Sequence, residues 1–219
     1  MSTNQPRLEV RVDVFEKTNQ RAIALSNLTP PQLIEAILQE FRELEYLSTV
    51  PTDYQLRKAQ DRSSLADDQP LGGQLQTGER LLLVENGVPL PAGVKPPSQP
   101  AYLREQATGR VYKLNWLPAI IGRPDKSQPG NEQIAVDLEG YKTGLRVSRR
   151  QAQITEENGQ FFIESLSGNP TAIKNSDGSG GAPISNKHPL HPGDIIFLER
   201  SNIALKFIIR SPKTSTKES

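Results

Sequence analysis

Hydrophobic and polar residues alternate strictly near the start of the chain. Over residues 8–15 (LEVRVDVF) every second residue is leucine or valine, and charged residues stand between them. This two-residue period predicts a half-buried β-strand. Residues 18–20 (TNQ) are typical of a turn, and the apolar residues of the next segment, 21–28 (RAIALSNL), predict a second strand.

The following segment changes to the spacing of a helix. Thr29 can cap it, and the two prolines that come next suit a first helical turn. The apolar residues then recur at intervals of three and four, as on one face of an α-helix. They are Leu33, Ile34, Ile37, Leu38 and Phe41. Two further strands are predicted over residues 53–59 and 80–85, which gives the order β-β-α-β-loop-β.

Many short strands are predicted in the second half of the chain. Turn signals separate their apolar runs, among them Asn158-Gly159, a pair that favours a tight hairpin because both residues tolerate positive φ. The predicted strands span residues 101–105, 110–114, 119–122, 134–138, 152–155, 160–165, 195–198 and 204–209. A series of short strands at this spacing predicts an all-β sandwich.

A proline-rich segment, residues 86–100 (NGVPLPAGVKPPSQP), lies between the two halves. Proline fixes φ and lacks a backbone donor, so such a run resists both helix and sheet. We therefore predict an α+β domain over residues 7–86, a linker over 87–100 and an all-β domain over 101–209. A polar tail without apolar residues, 210–219, is expected to be disordered.

The composition excludes several classes of function. The chain has 219 residues, with 26 Lys and Arg against 25 Asp and Glu and a net charge of +1. This balance gives no electrostatic case for a nucleic-acid or acidic-membrane partner. No cysteine is present, which excludes disulfides and thiolate chemistry. With no apolar signal core, no run long enough for membrane insertion and a mean hydropathy of −0.54, a cytoplasmic protein is expected.

Candidate catalytic and metal-binding patterns are weak. The sequence has no glycine-rich phosphate loop with a lysine and no Gly-x-Ser-x-Gly elbow. His188 and His191 could pair with Asp194 at a metal, but the neighbouring prolines 189 and 192 favour a rigid turn. We expect no enzyme activity, no metal and no cofactor.

Three ordered pieces of the second half carry a more specific pattern. They are Gly122-Arg123, Ser148-Arg149 followed by Gln151-Ala152, and Asn169-Pro170-Thr171, and a later Gly193-Asp194 precedes an apolar run. In this order and spacing they resemble the forkhead-associated (FHA) family, which shows Gly-Arg, Ser-Arg-x-His-Ala and Ser-x-Asn-Gly-Thr. The resemblance covers nearly all of the second half, and it implies a β-sandwich that binds phosphothreonine.

The resemblance also implies roles for single residues. Arg123, Ser148 and Arg149 would contact the phosphate, and Asn169 would hold the peptide main chain just after the phosphothreonine. A phosphate ester offers about −1.5 to −2 charges and three acceptor oxygens, and guanidinium and hydroxyl donors suit it. A generic anion patch made by Arg123, Arg149 and Arg150 is the alternative. Gly122, Gln151 and Thr171 would support the site, as further positions of the motif.

Some residues depart from the family pattern. Gln151 replaces the usual histidine, which is mainly structural in the family and braces the loops. A glutamine can also donate and accept hydrogen bonds but has a different shape, and a loss of bracing would loosen the pocket. Pro170 replaces a glycine, and Gly168 removes a possible hydroxyl ligand. Lys174 stands near the family's second asparagine. These departures concern affinity more than fold.

The first half resembles a second family. Over roughly residues 7 to 85 its element order is similar to the ubiquitin-like β-grasp fold, and residues 54–84 look like the bacterial ubiquitin-like proteins of type VII secretion systems. Gly72-Gly73 lies upstream of the last strand, with no Gly-Gly tail after it. Conjugation through a terminal glycine is therefore not expected.

Together these resemblances predict a non-catalytic adaptor. Its FHA domain would bind a threonine-phosphorylated protein, and its ubiquitin-like domain would dock a second, unknown protein in kinase signalling or secretion-type assembly. The alternative is a structural assembly protein whose sandwich binds an unphosphorylated protein surface.

Overall fold

The computed structural model describes residues 6–125, 127, 131–177 and 179–210. This part of the chain divides into two compact units that meet in sequence at Gly87 and Val88. The predicted disordered tail, apart from Arg210, lies outside the described residues.

The first unit contains one mixed sheet and one α-helix. Its elements are β1 (Arg7–Val14), β2 (Lys17–Leu25), α1 (Pro30–Glu40), β3 (Tyr54–Lys58) and β4 (Arg80–Glu85). The strand order is β2-β1-β4-β3. The central pair β1 and β4 is parallel, and both outer pairs are antiparallel.

Local sequence signals explain most of this unit. The alternation in β1 buries every second residue, as predicted. The backbone N–H of Thr29 donates to Oε1 of Gln32 at 2.9 Å, so α1 begins at the predicted cap. The helix ends at Glu40, and Phe41, the last residue of the predicted apolar face, caps it by donating its N–H to the Ile37 carbonyl at 3.0 Å.

The predicted turn at residues 18–20 is wrong. These residues belong to β2, which pairs with β1 from Lys17 onward across an irregular register. Asn19 adopts a φ of 59° within the strand, a conformation that asparagine tolerates better than most residues. Asn19 thus has the positive φ that is typical of a turn, but it lies within strand β2 of the hairpin.

The second unit is the predicted all-β sandwich, with two antiparallel-rich sheets. Its strands are β5 (Ala101–Glu105), β6 (Val111–Lys113), β7 (Ala119–Gly122), β8 (Ile134–Asp137), β9 (Ala152–Glu157), β10 (Gln160–Ser165), β11 (Thr171–Lys174), β12 (Gly180–Pro183), β13 (His188–Leu190), β14 (Ile195–Leu198) and β15 (Ile203–Ile209). One sheet has the order β13-β10-β9-β7-β8, and the other β12-β11-β14-β15-β5-β6.

Apolar side chains from both sheets form one core. Leu103 and Phe207 of the six-stranded sheet and Ile121, Ile154 and Phe161 of the five-stranded sheet are buried in it. The rings of Phe161 and Phe207 lie 5.2 Å apart between their centroids. Burial of this shared core is the main stabilising contribution to such a sandwich, and it provides the rigid frame on which the loops are mounted.

The rigid turn predicted from prolines 189 and 192 is confirmed at Pro192 and wrong at Pro189. Pro192 and Gly193 lie in a turn, in which the backbone N–H of Asp194 donates to the His191 carbonyl at 3.0 Å. His188–Leu190 forms the edge strand β13, which pairs antiparallel with β10. Proline is compatible with a strand at the edge of a sheet, where its missing N–H need not serve a second neighbour. Leu190 is buried in the core, so packing holds this short strand in place. The strands β11 and β12 were likewise not predicted.

Part of the proline-rich segment is attached to the second unit. Lys95 and Leu117 exchange backbone hydrogen bonds of 3.1 and 2.7 Å. The backbone N–H of Ser98 donates to Oε2 of Glu156 at 2.9 Å. The end of the segment thus follows the surface of the sandwich, whereas residues 86–90 are exposed.

Candidate functional site

Loops from both sheets of the sandwich meet at a surface pocket of about 390 Å³. Arg123 follows β7 in one sheet. Asn169 lies just before β11 in the other sheet, and Arg200 lies between β14 and β15. The lining consists of Arg123, Leu145, Arg146, Val147, Ser148, Asn169 and Arg200. Three of these residues are arginines, and none carries a carboxylate.

Arg123 is positioned by the end of β7. Its Nε donates to the carbonyl oxygen of Val147 at 2.9 Å. This bond fixes the plane of the guanidinium group, and within the described residues its two Nη groups form no ion pair. A guanidinium held in this way presents a fork of donors that matches a phosphate or a carboxylate.

Gly122 allows the close approach of two chain segments. A Cβ atom at this position would lie 2.1 Å from the carbonyl oxygen of Arg149 and 3.1 Å from that of Ser148. Backbone atoms cannot yield as a flexible side chain can. Glycine is therefore required for β7 to lie against the segment that carries Ser148.

Ser148 and Asn169 contact each other in the pocket. The side-chain Nδ2 of Asn169 donates to Oγ of Ser148 at 2.8 Å and to the carbonyl oxygen of Arg146 at 3.3 Å. Because the serine oxygen accepts this bond, its own hydroxyl hydrogen can still be donated to a ligand. The pair is thus arranged to offer an O–H donor beside the guanidinium of Arg123.

Gln151 holds these loops together from below. It is 1% exposed, and its Oε1 accepts the backbone N–H of Ser148 at 3.1 Å. Its Nε2 donates to the carbonyl oxygen of Asn169 at 2.8 Å and to Oγ1 of the buried Thr171 at 2.9 Å. The two loops are therefore braced at this position, because the amide uses both its donor and its acceptor to connect them.

Arg149 takes a different position from the one that the motif suggested. Its side chain does not line the pocket, and its Nε forms an ion pair with Oδ2 of Asp125 at 3.1 Å. The Ser127 hydroxyl, which donates to Asp125 at 2.6 Å, lowers the pKa of that carboxyl group, and the charges of Arg149 and Arg123 act in the same direction. Asp125 thus stays ionised beside Arg149.

Two arginines of the pocket, Arg146 and Arg200, were not found from the sequence. Arg146 ends the short 3₁₀ turn Gly144–Arg146, two residues before Ser148. The turn that carries Arg200 is held by Ser201, whose Oγ donates to the Leu198 carbonyl at 3.2 Å. Arg146 is recognisable from the sequence as a cation close to Ser148 of the motif. No local pattern of residues marks Arg200.

Leu145 adds an apolar group to the lining. Its side chain is 77% exposed and lies among the residues that line the pocket. Arg150, the third member of the predicted generic anion patch, does not line the pocket. Among the described residues, the cations that line the pocket are therefore Arg123, Arg146 and Arg200.

Comparison with protein families agrees with this architecture and these loops. Residues 119–198 match the model of the FHA domain. These residues form an FHA domain. The matched range contains Arg123, Ser148 and Asn169 and ends at the last residue of β14. Arg200 lies two residues beyond it. Comparison with curated proteins gives no match to this chain.

Several solved structures are similar to part of the chain. One is the FHA domain of human APLF in complex with an XRCC1 bisphospho peptide, at 26% identity over 50% of this chain and 97% of that one, with a TM-score of 0.38. Another is EmbR of Mycobacterium tuberculosis in complex with a low affinity phosphopeptide, at 24% identity over 52% of this chain and 26% of that one, with a TM-score of 0.40. A third is the FHA domain of a hypothetical protein of Arabidopsis thaliana, at 19% identity over 57% of this chain and 98% of that one, with a TM-score of 0.39.

The other candidate residues lie apart from the pocket. Nδ1 of His191 is 3.5 Å from Oδ2 of Asp194, and the same oxygen accepts the backbone N–H of His191 at 2.8 Å. His188 belongs to β13. Among the described residues, no group of three or more His, Asp or Glu side chains is placed to hold a metal ion. In the same part of the chain, no helix has the length and apolar character needed to cross a membrane.

Proposed function

We propose that this protein is a non-catalytic adaptor whose FHA domain binds protein segments that contain phosphothreonine. One observation carries the proposal. The pocket of the FHA domain brings the guanidinium group of Arg123 together with the hydroxyl group of Ser148 and the amide of Asn169, and no carboxylate is found among the described residues that line it. A donor-rich, cationic pocket on a rigid frame suits a dianionic ester.

The roles of the residues follow from their hydrogen bonds. Arg123 donates through its two Nη groups to the phosphate oxygens, since its Nε already bonds Val147. Ser148 donates its hydroxyl hydrogen to a further oxygen. Asn169 holds the peptide main chain after the phosphothreonine by accepting a peptide N–H through Oδ1, since its Nδ2 already donates to Ser148 and Arg146. Arg149, which lies outside the lining, contributes its positive charge at longer range, and its pairing with Asp125 reduces that contribution.

Titration of the full-length protein with matched threonine and phosphothreonine peptides tests the proposal. The peptides come from an oriented library, and the best sequence is repeated with phosphoserine and with glutamate. We expect binding only when phosphate is present. Phosphothreonine should be preferred over phosphoserine, because burial of its methyl group contributes about 0.8 kcal/mol. Glutamate, with about half the charge, should bind weakly.

Two substitutions link the binding to this pocket. Arg123→Ala and Ser148→Ala should each weaken binding of the phosphothreonine peptide at least about tenfold, because a hydrogen bond to a charged group contributes about 1.5–3 kcal/mol. The exposed residues Lys142 and Ser185 lie outside the lining, and Lys142→Ala and Ser185→Ala serve as matched controls. Unchanged affinity in both pocket variants, with the circular dichroism spectrum intact, would rule out this site.

For the first unit, we propose a ubiquitin-like β-grasp domain that docks a second protein partner. Three features of its topology support a β-grasp fold. The helix α1 lies between β2 and β3 in the chain, the strand order is β2-β1-β4-β3, and the two central strands, β1 and β4, are parallel. The proposed domain boundaries remain 7–86 and 101–209. Removal of the first unit should leave peptide affinity unchanged and abolish capture of the second partner.

A structural assembly protein is the second candidate. Leu145 favours this candidate, because its apolar side chain lines the pocket and is 77% exposed. Such a residue could pack against an unphosphorylated protein surface as well as against a peptide. Equal binding of the plain and the phosphorylated peptides in the titration above would support this candidate instead.

A further inference from the structure

Arginine side chains are concentrated on the outer face of the sheet in the first unit. Residues 7–86 contain nine Lys and Arg against thirteen Asp and Glu, a net charge of −4. The strand positions that alternate with the buried ones nevertheless carry five arginines and two carboxylates. They are Arg7, Glu9, Arg11, Asp13, Arg21, Arg57 and Arg80. This face is thus cationic although the unit as a whole is anionic.

Three of these arginines form a row across neighbouring strands. Arg11 of β1 lies opposite Arg21 of β2 on one side and opposite Arg80 of β4 on the other. Like charges directly opposite each other in a sheet are destabilising. The two outer arginines pair with carboxylates of β1 at 2.9 and 2.6 Å. Among the described residues Arg11 forms no ion pair, and its Nη1 donates to Oδ1 of Asn19 at 3.4 Å. A further carboxylate beside this row would offset the repulsion.

The edge of the sheet next to this row has free backbone groups. Strand β2 is outermost and pairs only with β1. Opposite residues of an antiparallel pair direct their backbone groups either towards each other or both away. The N–H of Arg11 and the carbonyl of Glu9 bond to the segment just before β4, at 2.9 and 2.8 Å. Their opposite residues, Arg21 and Ile23, therefore direct N–H and C=O away from the sheet. In the described part of the chain no backbone group from another segment bonds to them.

The side chains along this edge are apolar as well as cationic. Ile23 is 60% exposed and Leu25 is 37% exposed, on the same face as Arg21. An exposed apolar edge strand is a template for pairing with another chain. A nucleic acid would gain little from these apolar side chains and would be repelled by the carboxylates of Glu9 and Asp13 on the same face. The combination therefore favours a protein segment that is both acidic and apolar.

We propose that the outer edge of β2 binds an extended acidic segment of a second protein, which adds to the sheet as a fifth strand. This inference rests on the docking role proposed for the first unit and specifies its surface and its partner. The backbone groups of Arg21 and Ile23 bond to the added strand. On the outer face, the segment places a carboxylate beside Arg21 and towards Arg11, and an apolar side chain beside Ile23. Backbone pairing supplies affinity, and the alternating side chains supply selectivity.

The experiment selects short unphosphorylated peptides, displayed on phage, on the full-length protein. We expect the enriched sequences to alternate acidic with apolar residues. The best sequence is then synthesised with a fluorophore, unmodified and with N-methyl groups on either alternating set of its backbone nitrogens. An added strand uses only every second N–H for pairing. One methylated peptide should therefore bind like the unmodified one, and the other at least about tenfold more weakly. Hydrogen exchange at the amides of Arg21 and Ile23 should slow when the unmodified peptide binds.

Two substitutions on the face of β1 and β2 link the binding to this edge. Arg11→Glu and Ile23→Asp should each weaken the unmodified peptide at least about threefold, an effect of the size expected for contacts in an exposed site. Arg42→Glu and Val88→Asp make comparable changes at exposed residues elsewhere, just after α1 and in the proline-rich segment. These two controls should retain the affinity of the unchanged protein.

Several results would overturn the inference. They are enriched peptides without acidic residues, equal binding of the two methylated peptides, and unchanged affinity in both variants of the β1–β2 face. Tighter binding of a labelled single-stranded oligonucleotide than of the peptide would also overturn it. So would slowed exchange at the β2 edge without peptide that increases with protein concentration, because the edge would then pair with a second copy of the chain. Peptide protection elsewhere in residues 7–86 would leave the docking role standing, whereas protection of no amide in that range would overturn the docking role as well.

Discussion

At the scale of single residues, Gln151 determines how the binding loops are held. Its amide accepts a hydrogen bond from the segment of Ser148 and donates two to the segment of Asn169 and Thr171. A histidine at this position, as in the family pattern, has two ring nitrogens with which to connect such loops. The longer, flexible glutamine amide forms three bonds here, so the substitution is compatible with a formed pocket.

Gln151→Ala should therefore affect both stability and binding. It leaves the buried Thr171 hydroxyl and two loop backbone groups without their partner, and such losses destabilise by about 1–3 kcal/mol each. We expect the free energy of unfolding to fall by at least about 2 kcal/mol, and peptide affinity to fall as Ser148 and Asn169 lose their support. The single tryptophan, Trp116, lies in the second unit, and its fluorescence in a urea titration reports the change.

Gln153→Ala is the matched control. Gln153 lies two residues later, is half-buried, and donates to Oε2 of Glu164 at 2.9 Å. Loss of this partly solvated contact should cost less than about 1 kcal/mol and leave peptide binding unchanged. Similar unfolding curves for the two variants would contradict the bracing role of Gln151.

At the scale of elements, the site depends on the close contact between the end of β7 and the segment that carries Ser148 and Arg149. Gly122 permits this contact, and the backbone N–H of Gln151 donates to the Ile121 carbonyl at 2.8 Å within it. The Gly-Arg piece of the motif thus has two separate physical roles. Its glycine brings the segments together, and its arginine supplies donors to the pocket.

Gly122→Ala should separate these segments. The added Cβ would lie 2.1 Å from the Arg149 carbonyl oxygen, so the backbone must shift, at a cost of about 1–3 kcal/mol or more. We expect a lower melting temperature of the FHA domain and, in the fraction that remains folded, weaker phosphopeptide binding. Gly140→Ala, where a Cβ meets no atom within 4 Å, should have little effect on either quantity. A normal melting temperature for Gly122→Ala would show that the contact is not tight.

At the scale of the whole molecule, the chain consists of two units with separate hydrophobic cores. The division falls at Gly87 and Val88, and residues 86–90 are exposed. The backbone pairing of Lys95 with Leu117 then begins the part of the segment that is attached to the sandwich. The adaptor proposed above would need such an organisation, because each of its two binding domains must fold around its own core.

Limited proteolysis with subtilisin should therefore cut first within residues 86–94. Cleavage at Lys95 and beyond should be slower, because the hydrogen bonds to Leu117 and Glu156 must open first. Two fragments that remain folded are expected, and mass spectrometry identifies their ends. Trp116 fluorescence of the larger fragment should match that of the intact protein. First cleavage inside residues 101–209 would contradict two separate folding units. So would a single cooperative unfolding transition of the intact protein that is lost after cleavage.

The sequence by itself determined those features that depend on neighbouring residues. The alternation over residues 8–15 specified β1, and the Thr29 cap with its following prolines specified the start of α1. Asn158-Gly159 specified the hairpin between β9 and β10, where both residues adopt positive φ. These signals act within a few bonds, through φ preferences and the period of the side chains, and they therefore survive without knowledge of the fold. The ordered motif pieces likewise indicated Arg123, Ser148 and Asn169.

The tertiary structure alone decided which charged residues share the pocket. Arg200 lies 52 positions after Ser148 in the numbering of the chain, and only the packing of the two sheets brings both into one lining. Pairing with β10 made His188–Leu190 a strand, although its proline indicated a turn. The same packing directed Arg149 to Asp125 and turned Gln151 into a support for both loops. Long-range pairing and burial are collective properties of the folded chain, and no local pattern of residue types encodes which distant partners they will bring together.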